Sequence, residues 1–342
     1  MPIPRFLLLN HCARAGRDAG LEALRRGDHP LDIVEAVLRE AEDDRTERTV
    51  GSGGRPNLVG KVELDAGVMD GRTRRTGAVA ALQEFLHPVS VARQVMERLP
   101  HVLLVGDGAA RFAREIGAEP AWLLTGESEA EWQAWLIENL TAQDWTRFPE
   151  VPLAEITWRS AVPEASRNAT APASPRDMAV PDPLRDDTIP DSSGDGAVPE
   201  SPRDTAVTLA GRDVDLASAA STSGWAYKYP GRVGDSALPG CGHYADARWG
   251  AVACTHTGEM AIRAGTARSV VLHLANGDPV DEACRAAIAD LRQLEGGFLD
   301  ELVIHAVDAG GNHCVATTGI AAAYWWWREG MTEPARLFAV PM

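Results

Sequence analysis

Hydrophobic residues recur at two periods along this chain, and the switch between periods predicts alternating strands and helices. Residues 3–9 contain Phe6-Leu7-Leu8-Leu9, a short apolar run that reads as a buried strand. Helical spacing follows near 14–26 and 30–42, where Leu31, Val34, Val37 and Leu38 share one face. Strands are predicted over Lys61–Met69 and Thr76–Leu82. A helix fits 88–98, with Pro88 in its first turn and Val91, Val95 and Leu99 on one side. Val102–Val105 is a fully apolar strand, and Gly106-Asp107-Gly108 turns it into another helix.

From about 163 to 203 the periodicity stops. Pro, Ser, Asp, Arg and Ala dominate, and such a flexible linker buries too little apolar surface to order itself. Ser174-Pro175-Arg176-Asp177-Met178-Ala179-Val180 recurs here as Ser201-Pro202-Arg203-Asp204-Thr205-Ala206-Val207, and of the two copies only the second has Thr after Asp. Strands are predicted again near 205–210, 215–222, 250–255, 301–308 and 313–319, with helices near 257–265 and 279–293. Strands and helices mixed in both halves predict sheets covered by helices on their outer faces. The expected fold is therefore α+β, a four-layer αββα sandwich in a single domain over 1–342. Trp325-Trp326-Trp327 must alternate faces or circle a helix, which favours a packed edge or a subunit contact over a carbohydrate platform.

Composition narrows the function. In 342 residues, 45% are hydrophobic, ample for a core, and the formal charge of −16 argues against nucleic-acid and anionic-membrane partners. Small polar substrates fit better. Five cysteines without a CxxC pair give neither a complete disulfide framework nor a zinc ribbon. Phe6–Leu9 is short for a signal sequence and no run approaches a membrane span, so a soluble cytoplasmic protein is expected. Gly51–Gly54 lacks the Gly-Lys-Ser/Thr ending of a phosphate loop, and the histidines show no HExxH spacing, so no cofactor or metal is expected.

Five segments carry a more specific message: Gly51-Ser52-Gly53-Gly54-Arg55-Pro56-Asn57, Val62-Glu63-Leu64-Asp65-Ala66, Pro88-Val89-Ser90-Val91-Ala92-Arg93, Pro100–Ala109 and Pro230-Gly231-Arg232-Val233-Gly234-Asp235-Ser236. In this order they resemble the glycosylasparaginases, N-terminal nucleophile hydrolases related to plant-type asparaginases and isoaspartyl peptidases. The resemblance implies self-cleavage at Asp204-Thr205, giving an α chain of 1–204 and a β chain of 205–342, and a dimer of αβ units. The rival Asp187-Thr188 is followed by Pro190 and an acidic, Ser-rich run instead of a strand, whereas Thr205 stands 17 residues before Thr222, close to the family's spacing.

The implied chemistry is self-contained. Attack by the Thr205 hydroxyl on the Asp204 carbonyl gives an ester, whose hydrolysis releases a new N-terminus. Its α-amine, with an ordinary pKa of about 7.7–8.0, can serve as base to its own hydroxyl. Thr205 then attacks the side-chain amide of an asparagine derivative through a β-aspartyl ester. The substrate's α-carboxylate and α-ammonium call for one cation and one anion, and Arg232 and Asp235 meet that need on a glycine-bounded turn. By resemblance, Thr222 sits beside the nucleophile, Thr255 is the side-chain donor of the oxyanion hole, and Thr49 lies near the substrate. Four positions depart from the family: His11 replaces a Trp, Arg203 a His, Val207 a Gly and His256 the Gly paired with Thr255. The expected activity is cleavage of N4-substituted asparagine. The alternatives are an L-asparaginase or β-aspartyl peptidase, and an unprocessed homologue with a binding role.

Overall fold

The computed structural model describes residues 2–161 and 204–342. The linker expected over 163–203, with Arg203 and the rival Asp187-Thr188, lies outside them. Two sheets form. The larger runs β12-β11-β1-β5-β6-β2-β3-β4, built from β1 (Ile3–Asn10), β2 (Leu64–Asp70), β3 (Thr76–Leu82), β4 (Leu103–Val105), β5 (Ala206–Asp213), β6 (Asp215–Thr222), β11 (Ala323–Arg328) and β12 (Ala335–Phe338). The smaller runs β13-β10-β9-β8-β7, from β7 (His243–Asp246), β8 (Gly250–His256), β9 (Leu302–Asp308), β10 (His313–Thr317) and β13 (Val340–Pro341).

The alternation of side chains along each strand decides what these sheets face. On β1, Leu7 and Leu9 pack beneath the helices Arg17–Arg26, Pro30–Asp43 and Pro88–Arg98, while Phe6 and Leu8 point the other way, at the smaller sheet. β5 does the same, with Ala206 and Ala210 outward and Val207 and Leu209 inward. On the smaller sheet Val252, Cys254, Ile304 and Ala306 meet the helices Gly258–Ala264, Thr266–Ala275 and Val280–Leu291, while Ala251, Ala253, Val303 and Val307 face Phe6, Leu8 and Leu209. Each sheet thus has one helix-covered face and one face against the other, which is the expected αββα order.

The helix Pro30–Asp43 shows why the pattern folds so. Pro30 opens it, where a missing N–H costs nothing, and the His29 ring accepts from the Leu31 N–H as its cap. Its face of Leu31, Val34, Val37, Leu38 and Ala41 is buried. The strand expected from Lys61 begins later, at Leu64, because Lys61 closes a turn with Asn57 through Asn57 N→Lys61 O (2.8 Å) and Lys61 N→Asn57 Oδ1 (3.0 Å). The apolar run near 102–105 is an edge strand of the larger sheet, paired in parallel with β3, and Val102 and Val105 are 52% and 50% exposed. Apolar content alone does not distinguish a sheet edge from its centre.

The tryptophan triplet is strand, not helix: β11 pairs with β1, burying Trp326 between the sheets, and Trp325 and Trp327 pack on the helix side. Helices at Gly126–Asn139, Leu153–Ala161 and Thr266–Ala275 join the expected set. Among the described residues no helix is long and apolar enough to cross a membrane.

Gly67 on β2 leaves room between the sheets for the buried His243 ring; a Cβ there would lie 2.1 Å from His243 Nε2 and 2.6 Å from Ser236 O. Gly67→Ala should cost about 1–3 kcal/mol by forcing these layers apart. Thermal melting should show the loss as a midpoint several degrees lower, and an unchanged midpoint would contradict this packing.

Candidate active site

Strand alternation also fills the end of the layer between the sheets. Thr205 immediately precedes β5 and keeps phase with inward Val207 and Leu209. Thr222 follows Ala220 on β6, Thr255 follows Ala253 on β8, and His305 lies between Val303 and Val307 on β9. All four are buried.

Asp204 and Thr205 are held from both sides. Asn10, at the end of β1, donates from Nδ2 to the Thr205 carbonyl (2.7 Å) and accepts from the Val207 N–H at Oδ1 (3.0 Å). One buried amide therefore pins the start of β5. The Thr222 hydroxyl lies 3.1 Å from the Asp204 carbonyl oxygen and 3.1 Å from that of Thr49, and accepts from the Gly224 N–H at 2.9 Å. Its proton can thus be directed at the bond between Asp204 and Thr205. Thr49 takes part through its backbone, which also receives the Ser223 N–H, while its hydroxyl donates to Glu47, itself paired with Arg14.

The Thr255 hydroxyl shares a 2.9 Å hydrogen bond with His256 Nδ1, which lies 3.7 Å from the Asp204 carboxylate. His256 has φ +79°, a left-handed conformation that glycine adopts readily and that any residue with a Cβ adopts at a cost. The imidazole is turned toward Asp204. Val207 sits in regular register opposite Ala220, its side chain in the interlayer core. A cavity of about 30 Å³ adjoins Asp204, room for about one water, with His11, Cys12, Glu47, Thr255, His256 and His305 in its wall. His11 is backed by the Trp325 ring, stacked at 5.8 Å. Burial pulls the His305 pKa down to about 4, so the ring is neutral at physiological pH.

Arg232 and Asp235 lie behind two glycines. A Cβ on Gly224 would come within 3.3 Å of Arg232 Nη1, and one on Gly258 within 2.6 Å of Asp235 Oδ1. Their turn is fastened by two buried carboxylates from the Val62–Ala66 segment: Glu63 accepts the Gly231 N–H at 3.1 Å, and Asp65 accepts the Gly234 N–H at 2.9 Å and that of Ala81 at 2.8 Å. Lys228, also buried, donates to the Glu63 carbonyl at 3.1 Å, and burial lowers its pKa. Arg232 stacks over Trp225 at 5.0 Å and grips Glu259 through two hydrogen bonds. Asp235 is nearly inaccessible and its Oδ2 has no hydrogen-bond partner among the described residues. Burial raises its pKa to about 7, against the opposing pull of Arg232.

The eight residues singled out from sequence, with Asp204, therefore fall around one end of the interlayer. Asn10, Glu47, Glu63, Asp65, Glu259 and His305 escaped that selection. Asn10, Glu47 and His305 carry no local signal, because their partners are distant in sequence; Glu63 and Asp65 stood in a quoted motif, and their spacing of two was the available clue.

Two layered sheets with helices outside and a buried Asp-Thr bond at the mouth of the interlayer form the architecture of the N-terminal nucleophile hydrolases. The chain belongs to the asparaginase family: the family model described as Asparaginase matches residues 9–332. It is similar to an N(4)-(beta-N-acetylglucosaminyl)-L-asparaginase of Elizabethkingia miricola, 37% identical over 276 residues, 80% of this chain and 66% of that protein. It is also similar to the rat protein of that name, 32% identical over 286 residues (84% and 76%), and to a plant-type L-asparaginase of Thermococcus kodakarensis, 32% identical over 319 residues (92% and 89%).

Asp235 gives a pH test. Its pKa is higher folded than unfolded, so the folded chain binds the extra proton and stability falls as pH rises from about 4 to about 7. Asp235→Asn should flatten that decline and, at pH 8, raise stability by about 1–3 kcal/mol. Denaturant titrations from pH 4 to pH 8 check the slope; equal slopes in both proteins would refute it.

Proposed function

We propose that this chain is made as an inactive precursor, cuts itself between Asp204 and Thr205, and then hydrolyses the side-chain amide of N4-substituted asparagine through Thr205. The observation carrying this reading is the contact between the Thr222 hydroxyl and the Asp204 carbonyl, with Asn10 pinning the next residue. In self-cleavage Thr222 steadies the charge that develops on that oxygen as the Thr205 hydroxyl adds to the carbon. The bond to the Thr205 nitrogen then breaks, leaving an ester, and water replaces the Thr205 oxygen.

After cleavage the Thr205 amine takes the proton from its own hydroxyl. The hydroxyl attacks the amide of the substrate, the leaving amine departs protonated, and water resolves the β-aspartyl ester. Arg232 binds the substrate's α-carboxylate and Asp235 its α-ammonium, the cation that stabilises the ionised carboxylate of Asp235. Thr255 supplies the oxyanion donor in turnover, with His256 as its hydrogen-bond partner. The similarity to glycosylasparaginases supports an N4-substituted substrate. The similarity to a plant-type L-asparaginase over 92% of this chain supports the second reading, turnover of unsubstituted asparagine. Cysteines present as five thiols favour a reducing, cytoplasmic setting.

Intact mass and N-terminal sequencing should find fragments meeting at Asp204 and Thr205. Thr205→Ala should give one uncut, inactive chain. Thr222→Ala should slow cutting about 10²–10³-fold, the cost of one oxyanion donor. A persistent single chain without amidase activity would favour a binding role, and preference for free asparagine over its glycosylated form would favour the second reading.

A further inference from the structure

Arg232 has two hydrogen-bonding edges. The edge made of Nε and Nη2 is occupied: Nε donates to Glu259 Oε1 at 2.9 Å and Nη2 to Oε2 at 2.8 Å. Nη1 points elsewhere, toward backbone that lacks side chains. A Cβ on Gly234 would lie 2.8 Å from it and one on Gly224 3.3 Å from it, and Gly224 is the residue whose N–H meets the Thr222 hydroxyl. The guanidinium plane is set by Trp225. Arg232 is thus held on one edge and one face, while Nη1 stays on the side of Gly234 and Gly224, where Lys228 Nζ also approaches.

We propose that Glu259 is a positioning residue: it occupies one edge of Arg232 so that the other is presented, at a fixed angle, to the α-carboxylate of the substrate. This rests on the reading of Arg232 as the carboxylate clamp. Glu259 stands next to Gly258, whose missing side chain makes room for Asp235. One dipeptide therefore shapes both recognition groups, a role that the spacing of Arg232 and Asp235 alone does not disclose. The opposing possibility is that Glu259 takes the place of the substrate's carboxylate on Arg232 and competes with it. The two differ in sign. A competitor, or a bare negative charge near the incoming anion, weakens binding, so its removal tightens it. A positioning residue does the reverse, since Arg232 then regains rotamers that must be frozen when ligand binds.

The test is calorimetric binding of L-aspartate, the product carrying both recognised groups, to the purified protein, with its cleavage state read by mass. Glu259→Gln should raise Kd about tenfold, and Glu259→Asp, which keeps the charge, should recover part of the loss. In an Arg232→Lys background, which lacks the paired edge, Glu259→Gln should change Kd less than twofold. With an asparagine substrate the rise should appear in KM, with kcat within about twofold and self-cleavage intact. Unchanged or tighter aspartate binding in Glu259→Gln overturns the proposal, as does an equal loss in the Lys background. If Glu259→Gln does not fold, Glu259→Asp decides alone: weaker binding in the Arg232 protein but not in Arg232→Lys supports the proposal, and any other pattern overturns it. Failure of the wild-type protein to bind aspartate also overturns it. A wild-type chain that binds aspartate but neither cuts itself nor releases aspartate leaves the positioning role standing and refutes the hydrolase reading, so the two failures are separate.

Discussion

Two sheets packed face to face enclose one buried layer between them, and the strict alternation of strand side chains determines what enters it. The rows that place Phe6, Leu8, Val207, Leu209, Ala253 and Val303 in that layer end in Thr205, Thr222 and Thr255, and His305 stands within the β9 row between Val303 and Val307. The candidate site is the polar end of the hydrophobic core. A one-residue slip of β5 against β1 or β6 would send Thr205 to the helix face and Ala206 inward. Asn10 opposes that slip by hydrogen bonding to both Thr205 and Val207, since the slip would break both bonds of a buried amide.

Buried charge is handled unevenly, and the unevenness separates scaffold from recognition. Glu63 and Asp65 are inaccessible, yet each accepts backbone N–H groups from the turn it supports, so their desolvation is offset within the fold. Asp235 is just as buried and keeps an oxygen without a hydrogen-bond partner among the described residues. Isolated burial of that kind costs stability, and a protein retains it where something else supplies the missing partner. In the proposed reaction the partner is the substrate's ammonium. The cation for the other end of the substrate is held by Glu259 and Trp225 and does not wander.

Much of the fold was legible because it depends on period. Helix 88–98 and strand Thr76–Leu82 match the expected bounds, and Leu31, Val34, Val37 and Leu38 form one buried face as their spacing implied. The helices at Gly126–Asn139 and Thr266–Ala275 were not anticipated: the first carries its start signal in the Thr125 cap, and the second directly follows another helix across Gly265 at φ +60°. The site was legible where its members share a short segment, as Arg232 and Asp235 do. It was illegible where partners are far apart in sequence. Asn10 and Thr205 are separated by 195 residues, and only pairing of β1 with β5 brings them together.

His256 and Val207, two departures from the family pattern, have different physical consequences. Val207 occupies an ordinary strand position with its side chain in the core, so the conformational freedom of glycine is not used there. At His256 it is used: the residue holds a left-handed backbone, whose cost is of order 1–3 kcal/mol for a residue other than glycine. That strain persists because both flanks are fixed, by Thr255 within β8 and by the helix that begins at Gly258. It places a ring nitrogen between the Thr255 hydroxyl and the Asp204 carboxylate, where glycine would leave space. Stored strain and a new hydrogen-bonding group thus coincide at the residue facing the proposed cut, while the recognition turn behind Gly224 retains its own support from Glu63 and Asp65. The part of the site proposed to cut the chain and the part proposed to read an amino acid are therefore braced largely by different residues, with Gly224 the meeting point between Thr222 and Arg232.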